Sequence, residues 1–154
     1  MSHLIKGDTA PEFSGINQDS RQIRLSDFRG SKLILYFYPK DFTSGCTVQA
    51  ENLSENFEFW HSKNYKIVGV SPDSADSHCK FREKYNIPFE LIADVDLNIA
   101  KAYGVYGPKK MYGREYMGIM RTTFIIDENG VIEDIVKDVK TKEHSQQLVK
   151  LLNL

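Results

Sequence analysis

Cys46 stands in the run Tyr36-Phe37-Tyr38-Pro39-Lys40-Asp41-Phe42-Thr43-Ser44-Gly45-Cys46-Thr47. An apolar stretch, Leu33 to Tyr38, leads into Pro39 and a short polar turn. After that turn Cys46 begins an apolar stripe that continues at Ala50, Leu53, Phe57 and Trp60, which is helical spacing. The first turn of a helix carries unpaired backbone N–H groups and the positive end of the helix dipole, and both favour a thiolate over a thiol. The chemistry within reach is nucleophilic attack by sulfur. Attack on a peroxide would also require fixed donors where an oxyanion develops. Thr43, three residues before the thiol, can offer its hydroxyl to a small oxygen ligand, or simply cap the helix. Pro39 can shield the turn from water, or merely end the strand. Lys40 is close in sequence, but its ammonium is a flexible point charge. Arg121, in Met120-Arg121-Thr122-Thr123-Phe124, is the forked cation that could meet the thiol across a sheet; the alternative is a solvated arginine at the start of a strand. An inert buried cysteine is the competing reading of Cys46 itself.

The elements that would position these groups alternate. A hairpin spans Pro11 to Leu25, turning at Asn17-Gln18-Asp19-Ser20, and a short turn follows at Ser26 to Gly30. Lys32 to Tyr38 is nearly all apolar, as in a strand covered on both faces. A helix is predicted from Cys46 to Lys63, a strand from Lys66 to Ser71, and a helix from Pro72-Asp73-Ser74 to Tyr85. Next come a strand at Phe89 to Ile92 and a short helix at Leu97 to Tyr103. A Gly- and Tyr-rich loop leads to a strand at Thr122 to Ile126. Asp127-Glu128-Asn129-Gly130 is a hairpin turn, Val131 to Val136 its partner strand. Lys142 to Leu152 forms the last helix, with Leu148, Val149, Leu151 and Leu152 on its inner side. The pattern predicts an α/β protein of thioredoxin-like plan: a mixed central sheet flanked by helices, with an N-terminal β-hairpin extension.

The 154 residues suit one domain, 1–154. Hydrophobic residues make up 41%, too many for a disordered chain. Twenty Lys and Arg against 21 Asp and Glu leave a net charge of −1, which gives no support to nucleic-acid or anionic-membrane binding. The first residues lack a signal-peptide core, and no apolar run approaches the roughly 18 residues of a membrane span. A cytoplasmic location follows as the expectation. Two cysteines in such a chain favour reactivity over a structural disulfide framework. The histidines His3, His61, His78 and His144 show no metal-ligand spacing with the cysteines.

The chain resembles the peroxiredoxins, and among them the Q-type or bacterioferritin comigratory branch. Gly7-Asp8-Thr9-Ala10-Pro11-Glu12-Phe13 is similar to the family's opening. Leu35 to Asp41, with Thr43 and Gly45-Cys46-Thr47, is similar to its active-site segment. Ser77-His78, Phe81, Lys84-Tyr85 and Pro88-Phe89 match its next helix and turn. Tyr103 to Gly107, Met111-Tyr112-Gly113 and Gly118 to Asp127 match its second half. The resemblance implies that Cys46 attacks hydrogen peroxide or small organic hydroperoxides to give a sulfenic acid. It implies that Pro39, Thr43 and Arg121 build the pocket, with no metal or other cofactor. Thioredoxin is the implied reductant, with glutaredoxin or glutathione as alternatives, and the implied state is a monomer or weak homodimer.

Two positions depart from that branch. Glu51 stands five residues after Cys46, where many members carry a resolving cysteine, and Ser44 replaces a usual proline. The other thiol, Cys79, resembles a second arrangement of the branch, in which the resolving cysteine lies on this helix about one turn further on. At about 100° per residue, Cys79 points about 125° away from the centre of the stripe of His78, Phe81 and Tyr85, so it is expected to be partly exposed rather than core. It is either the resolving thiol or a bystander in a one-cysteine enzyme. If it resolves, the first turn of the Cys46 helix must unwind after oxidation, because a disulfide needs Cα atoms within about 7 Å. Gln49, three residues after Cys46, excludes a single-motif dithiol oxidoreductase, and Trp60 lies in a helix, which does not suit a glutathione-peroxidase-like site. A non-enzymatic peroxide sensor or chaperone would use the Tyr- and Met-rich stretch from Tyr103 to Met120 as a partner surface. That stretch is otherwise a loop packed over the sheet or an apolar pocket rim, with Lys109-Lys110 at a solvated tip.

Overall fold

The computed structural model describes residues 3–154. β1 (Ser14–Asn17) and β2 (Gln22–Arg24) form the N-terminal hairpin, followed by a 3-10 turn at Leu25–Phe28. β3 (Lys32–Phe37) runs to the site segment and into α1 (Ser44–Glu55) and α2 (Phe57–Ser62). β4 (Tyr65–Ser71), α3 (Ala75–Tyr85), β5 (Glu90–Ala93) and α4 (Asn98–Ala102) continue the alternation. β6 (Tyr106–Met111) and β7 (Arg114–Ile119) pair only with each other. β8 (Thr122–Ile126), β9 (Ile132–Val136), a 3-10 turn at Thr141–Glu143 and α5 (His144–Leu152) complete the chain.

The main sheet has the order β2-β1-β5-β4-β3-β8-β9. β3, β4 and β5 are parallel neighbours, while β8 lies antiparallel to β3 and β9 antiparallel to β8. The sheet is mixed, as predicted. Alternation along β3 divides the interior in two. Leu33, Leu35 and Phe37 enter one core with Phe13, Ile99, Tyr103 and Phe124. Ile34, Tyr36 and Tyr38 enter the other with Cys46, Leu53, Trp60, Phe81 and Leu148. Four helices, α1, α2, α3 and α5, thus cover the face that holds the thiol.

Three expectations are corrected. The helix predicted from Cys46 to Lys63 is two helices, parted at Asn56, whose side chain donates to the Asn52 carbonyl and competes with the backbone ladder. It also starts earlier, at Ser44, so Cys46 is its third residue. The Tyr- and Met-rich stretch does not lie over the sheet as a loop. Tyr112 and Gly113 both take positive φ, as a two-residue hairpin turn demands, and the β6–β7 hairpin projects with Tyr112 97% exposed. Only its roots, such as Tyr103 and Ile119, join the core. Finally, Leu151 faces solvent while Leu148 is buried and Val149 and Leu152 are half-buried.

Candidate active site

Chain geometry after β3 aims the thiol. Tyr38 N–H still donates to the Val70 carbonyl, then Pro39 and Lys40 leave the sheet. Phe42 takes φ 66°, a left-handed backbone that is costly outside glycine. Thr43 returns to extended backbone and occupies the N-cap position of α1. The backbone bond from Thr47 N–H to the Thr43 carbonyl closes the first turn, so Cys46 N–H lies ahead of the helical ladder. The Cys46 side chain points inward and the residue is 1% exposed.

Arg121 arrives from the opposite direction. Phe37 pairs with Thr122 across the β3–β8 ladder, which sets Arg121 beside the end of β3. Its Nη2 donates to Cys46 Sγ at 3.3 Å, and its Nη1 donates to Gln49 Oε1. A Cβ at Gly45 would lie 3.3 Å from Nη2, so glycine there gives the guanidinium close access to the helix start. In the sequence Gln49 only excludes a dithiol motif; the structure makes it the partner of the guanidinium. The signal that could have found it is its spacing: one helical turn after the thiol, on the same face. It is fully buried, and its Nε2 has no partner among the described residues.

The remaining expected residues are placed as follows. Thr43 is exposed, makes no side-chain cap, and donates its hydroxyl to the Lys40 carbonyl at 2.7 Å. Pro39 is half-buried at the exit of β3. Cys79 is exposed on α3, and both cysteines are unbonded. His78, Phe81 and Tyr85 face inward from the same helix, in line with the helical-wheel expectation.

Lys109 is a further correction. It is not part of a solvated tip: its ammonium donates to the Ile119 carbonyl at 2.8 Å. Burial pushes its pKa down, the Arg121 cation pushes it further, and Cys46 pulls the other way. Tyr36, whose buried hydroxyl has no partner among the described residues, is pushed well up, by burial first and then by Cys46 and Asp41.

Beneath the loop lies a buried polar cluster that the sequence did not reveal. Asp41 accepts from Tyr38 Oη at 2.6 Å and from Ser77 Oγ at 2.8 Å, and faces His78 Nδ1 at 2.7 Å. Asp73 accepts from Ser71 Oγ and from Asp41 N–H. Donor atoms of Asp41, Asp73 and His78 come within 4.8 Å of one another, close enough for a cation. Each of these groups is already engaged by the chain, so the cluster reads as a hydrogen-bond network.

A buried thiol at a helix start, under a braced arginine and beside a mixed sheet, defines the peroxiredoxin class of thioredoxin-like folds. Comparison with known proteins agrees. The AhpC/TSA family model matches residues 6–135. A curated relative, the putative peroxiredoxin bcp of Helicobacter pylori (strain J99), is 42% identical over 99% of this chain and 100% of its own length. The peroxiredoxin Bcp of Escherichia coli K12 is 39% identical over 99% and 97%. Among solved structures, a PrxQ of Xylella fastidiosa superposes with a TM-score of 0.92 at 32% identity, covering 99% of this chain and 98% of that one. A bacterioferritin comigratory protein of Xanthomonas campestris, solved in complexes bearing on its alkyl peroxide reduction, gives 0.85 at 31% identity over 92% and 90%. The chain belongs to the AhpC/TSA family, in its Bcp or Q-type peroxiredoxin branch. It is a thiol peroxidase, an oxidoreductase that works on peroxide and draws on a thiol reductant. No helix among the described residues is long and apolar enough to cross a membrane.

Proposed function

We propose that Cys46 is the peroxide-attacking thiol and that Arg121, Thr43 and Pro39 shape its pocket. The observation that carries this is the guanidinium, which touches Sγ at 3.3 Å while Gln49 fixes its other arm. Sγ forms a bond to one peroxide oxygen as the O–O bond breaks. The electron pair leaves on the other oxygen, which takes a proton to become water or an alcohol. The fixed guanidinium and the N–H groups of the first helical turn stand where that charge grows. Thr43, having donated to Lys40, keeps its lone pairs to accept from a peroxide O–H. Hydrogen peroxide and small organic hydroperoxides are the proposed substrates.

The Cys79 thiolate then attacks the sulfenic sulfur, forming a disulfide and releasing hydroxide that leaves as water. Thioredoxin is the proposed dithiol that restores both thiols by exchange and is itself oxidised. The exposure of Cys79 supports this, since an incoming sulfenate and a reductant must both reach it. We place the reaction in the cytoplasm and in one domain acting as a monomer or weak homodimer.

Intact mass after one equivalent of hydrogen peroxide, with denaturing alkylation, tests the scheme. Loss of two hydrogens and two blocked thiols is expected. Oxygen gained on Cys46 with Cys79 still alkylated would replace it with a one-cysteine enzyme. An unreacted Cys46 would overturn the assignment of the thiol.

A further inference from the structure

We propose that Asp41, Ser77 and His78 form a latch that holds the Cys46 segment against α3 and sets how fast oxidised Cys46 leaves its pocket. This rests on the two-thiol reading above. The Cys46 sulfur is buried and Cys79 is exposed, so the two thiols do not share one surface; the latch concerns the movement that brings them together, an unwinding of the first turn of α1. The piece that must move starts after Tyr38, which the sheet still holds. Asp41 sits in the middle of that piece.

Its carboxylate is tied to α3 twice. Ser77 Oγ donates to Oδ2 at 2.8 Å, and His78 Nδ1 lies 2.7 Å from the same atom. The other imidazole nitrogen, Nε2, faces the Ile92 carbonyl at 2.9 Å. A carbonyl only accepts, so Nε2 carries a proton. A further proton then lies between Nδ1 and Oδ2, in a pair that is almost wholly buried. Such a bond is among the strong ones, and separating its partners exposes both. The Asp41 N–H adds a bond to Asp73.

The next residue stores the opposing tendency. Phe42 is held at positive φ, and its ring rests on Phe81 and Tyr85, both of α3, with centroids 5.1 and 6.4 Å away. Freed from Asp41, Phe42 would relax to ordinary backbone and draw Thr43 and Ser44 out of the helix start. One face of α3 therefore grips the reduced site, while its other face presents the thiol that receives the oxidised one. Asp41, Ser77 and His78 act through the position of Cys46, so they are positioning residues.

The test compares Ser77→Ala and Asp41→Asn with the unaltered chain. After a peroxide pulse, acid quench and alkylation give the rate of Cys46–Cys79 disulfide formation relative to the rate of Cys46 oxidation. That ratio should rise about fivefold in Ser77→Ala, the factor carried by one hydrogen bond of ordinary strength, and further in Asp41→Asn. Hydrogen exchange at Thr47 N–H, which closes the first turn of α1 on the Thr43 carbonyl, should quicken by a similar factor while β3 and β4 keep their protection. A ratio that stays flat or falls in folded variants would overturn the latch. If Asp41→Asn does not fold, Ser77→Ala carries the test alone. If the unaltered chain forms no disulfide, the two-thiol reading has failed, and exchange at α1 decides the latch separately: unchanged protection rejects it.

Discussion

Arg121 touches Cys46 and Gln49 at once, one guanidinium nitrogen on the sulfur and another on the amide oxygen. The two acceptors lie on α1 one turn apart, so the planar fork spans the helix face. A lysine has the charge but not the fork. Arg121→Lys should therefore lower kcat/KM for hydrogen peroxide by about 10²–10³-fold, the range for losing a fixed donor at a developing oxyanion. Stopped-flow oxidation of the thiol measures it. A loss below tenfold would mean that charge alone suffices and that the brace from Gln49 is incidental.

Much of this was legible in the sequence because local signals agreed. The apolar run of β3 and the Asp127–Gly130 turn each marked an element correctly, and the stripe after Cys46 marked helix but not its start or its division into two. The class followed from the active-site segment. The break at Asn56 was missed because apolar periodicity runs straight through it, while the competing hydrogen bond comes from a polar side chain. Lys109 and the Asp41–His78 pair gain meaning only from residues distant in the chain, whereas Gln49 had a local signal in its spacing from Cys46 but needs Arg121, 72 positions on, to show its role. His78 lies 37 positions from Asp41, and nothing in either neighbourhood announces the other. The β6–β7 hairpin is not legible in the sequence because its turn, Tyr112-Gly113, lacks the usual Asn-Gly signal.

Cys79→Ser should separate the two halves of the cycle. One equivalent of peroxide should still add oxygen to Cys46, because Cys79 takes no part in the first step. Steady turnover with thioredoxin should collapse, and excess peroxide should carry Cys46 to the sulfinic state. Mass spectrometry reads both. Sustained turnover with thioredoxin in this variant would mean that the reductant attacks the sulfenic acid directly.

Acid should find a weak point at His144. Burial holds its pKa down to about 4, with Gln147 raising it and Arg121 lowering it as smaller influences. It is fully buried, and its Nε2 meets Thr123 Oγ1 at 2.9 Å. Because the folded pKa lies below the ordinary value of about 6.5, the unfolded chain binds this proton first. The contribution is whole above about pH 6.5 and drains away as pH falls towards 4, at up to about 1.4 kcal/mol per pH unit. Urea unfolding at pH 7 and pH 4.5 checks the sign. His144→Gln should lose less stability between those two pH values than the unaltered chain; an equal loss would place the acid sensitivity elsewhere.

Gly69 lies in β4 between two sheet neighbours. A Cβ there would meet Leu91 Cδ2 and the Tyr36 ring at 2.9 Å, and both side chains are fully buried. Neither can yield without disturbing the core that contains Cys46. Gly69→Ala should cost about 1–3 kcal/mol, as overpacking of a filled core does. A lowered urea midpoint with an unchanged slope would bear this out; an unchanged midpoint would mean that the Tyr36 ring swings aside freely.

The ladder between β3 and β8 joins the thiol to its cation without regard to the chain between them. Cutting the backbone at the exposed Tyr112-Gly113 tip would place Cys46 on one fragment and Arg121 on the other. Neither fragment could hold the site alone. Five paired residues, Leu33 to Phe37 against Ile126 to Thr122, would restore it on reassembly. If Cys46 and Arg121 act as proposed, the protein should divide there into two halves without peroxidase activity, whose reunion could be followed by the return of peroxide consumption.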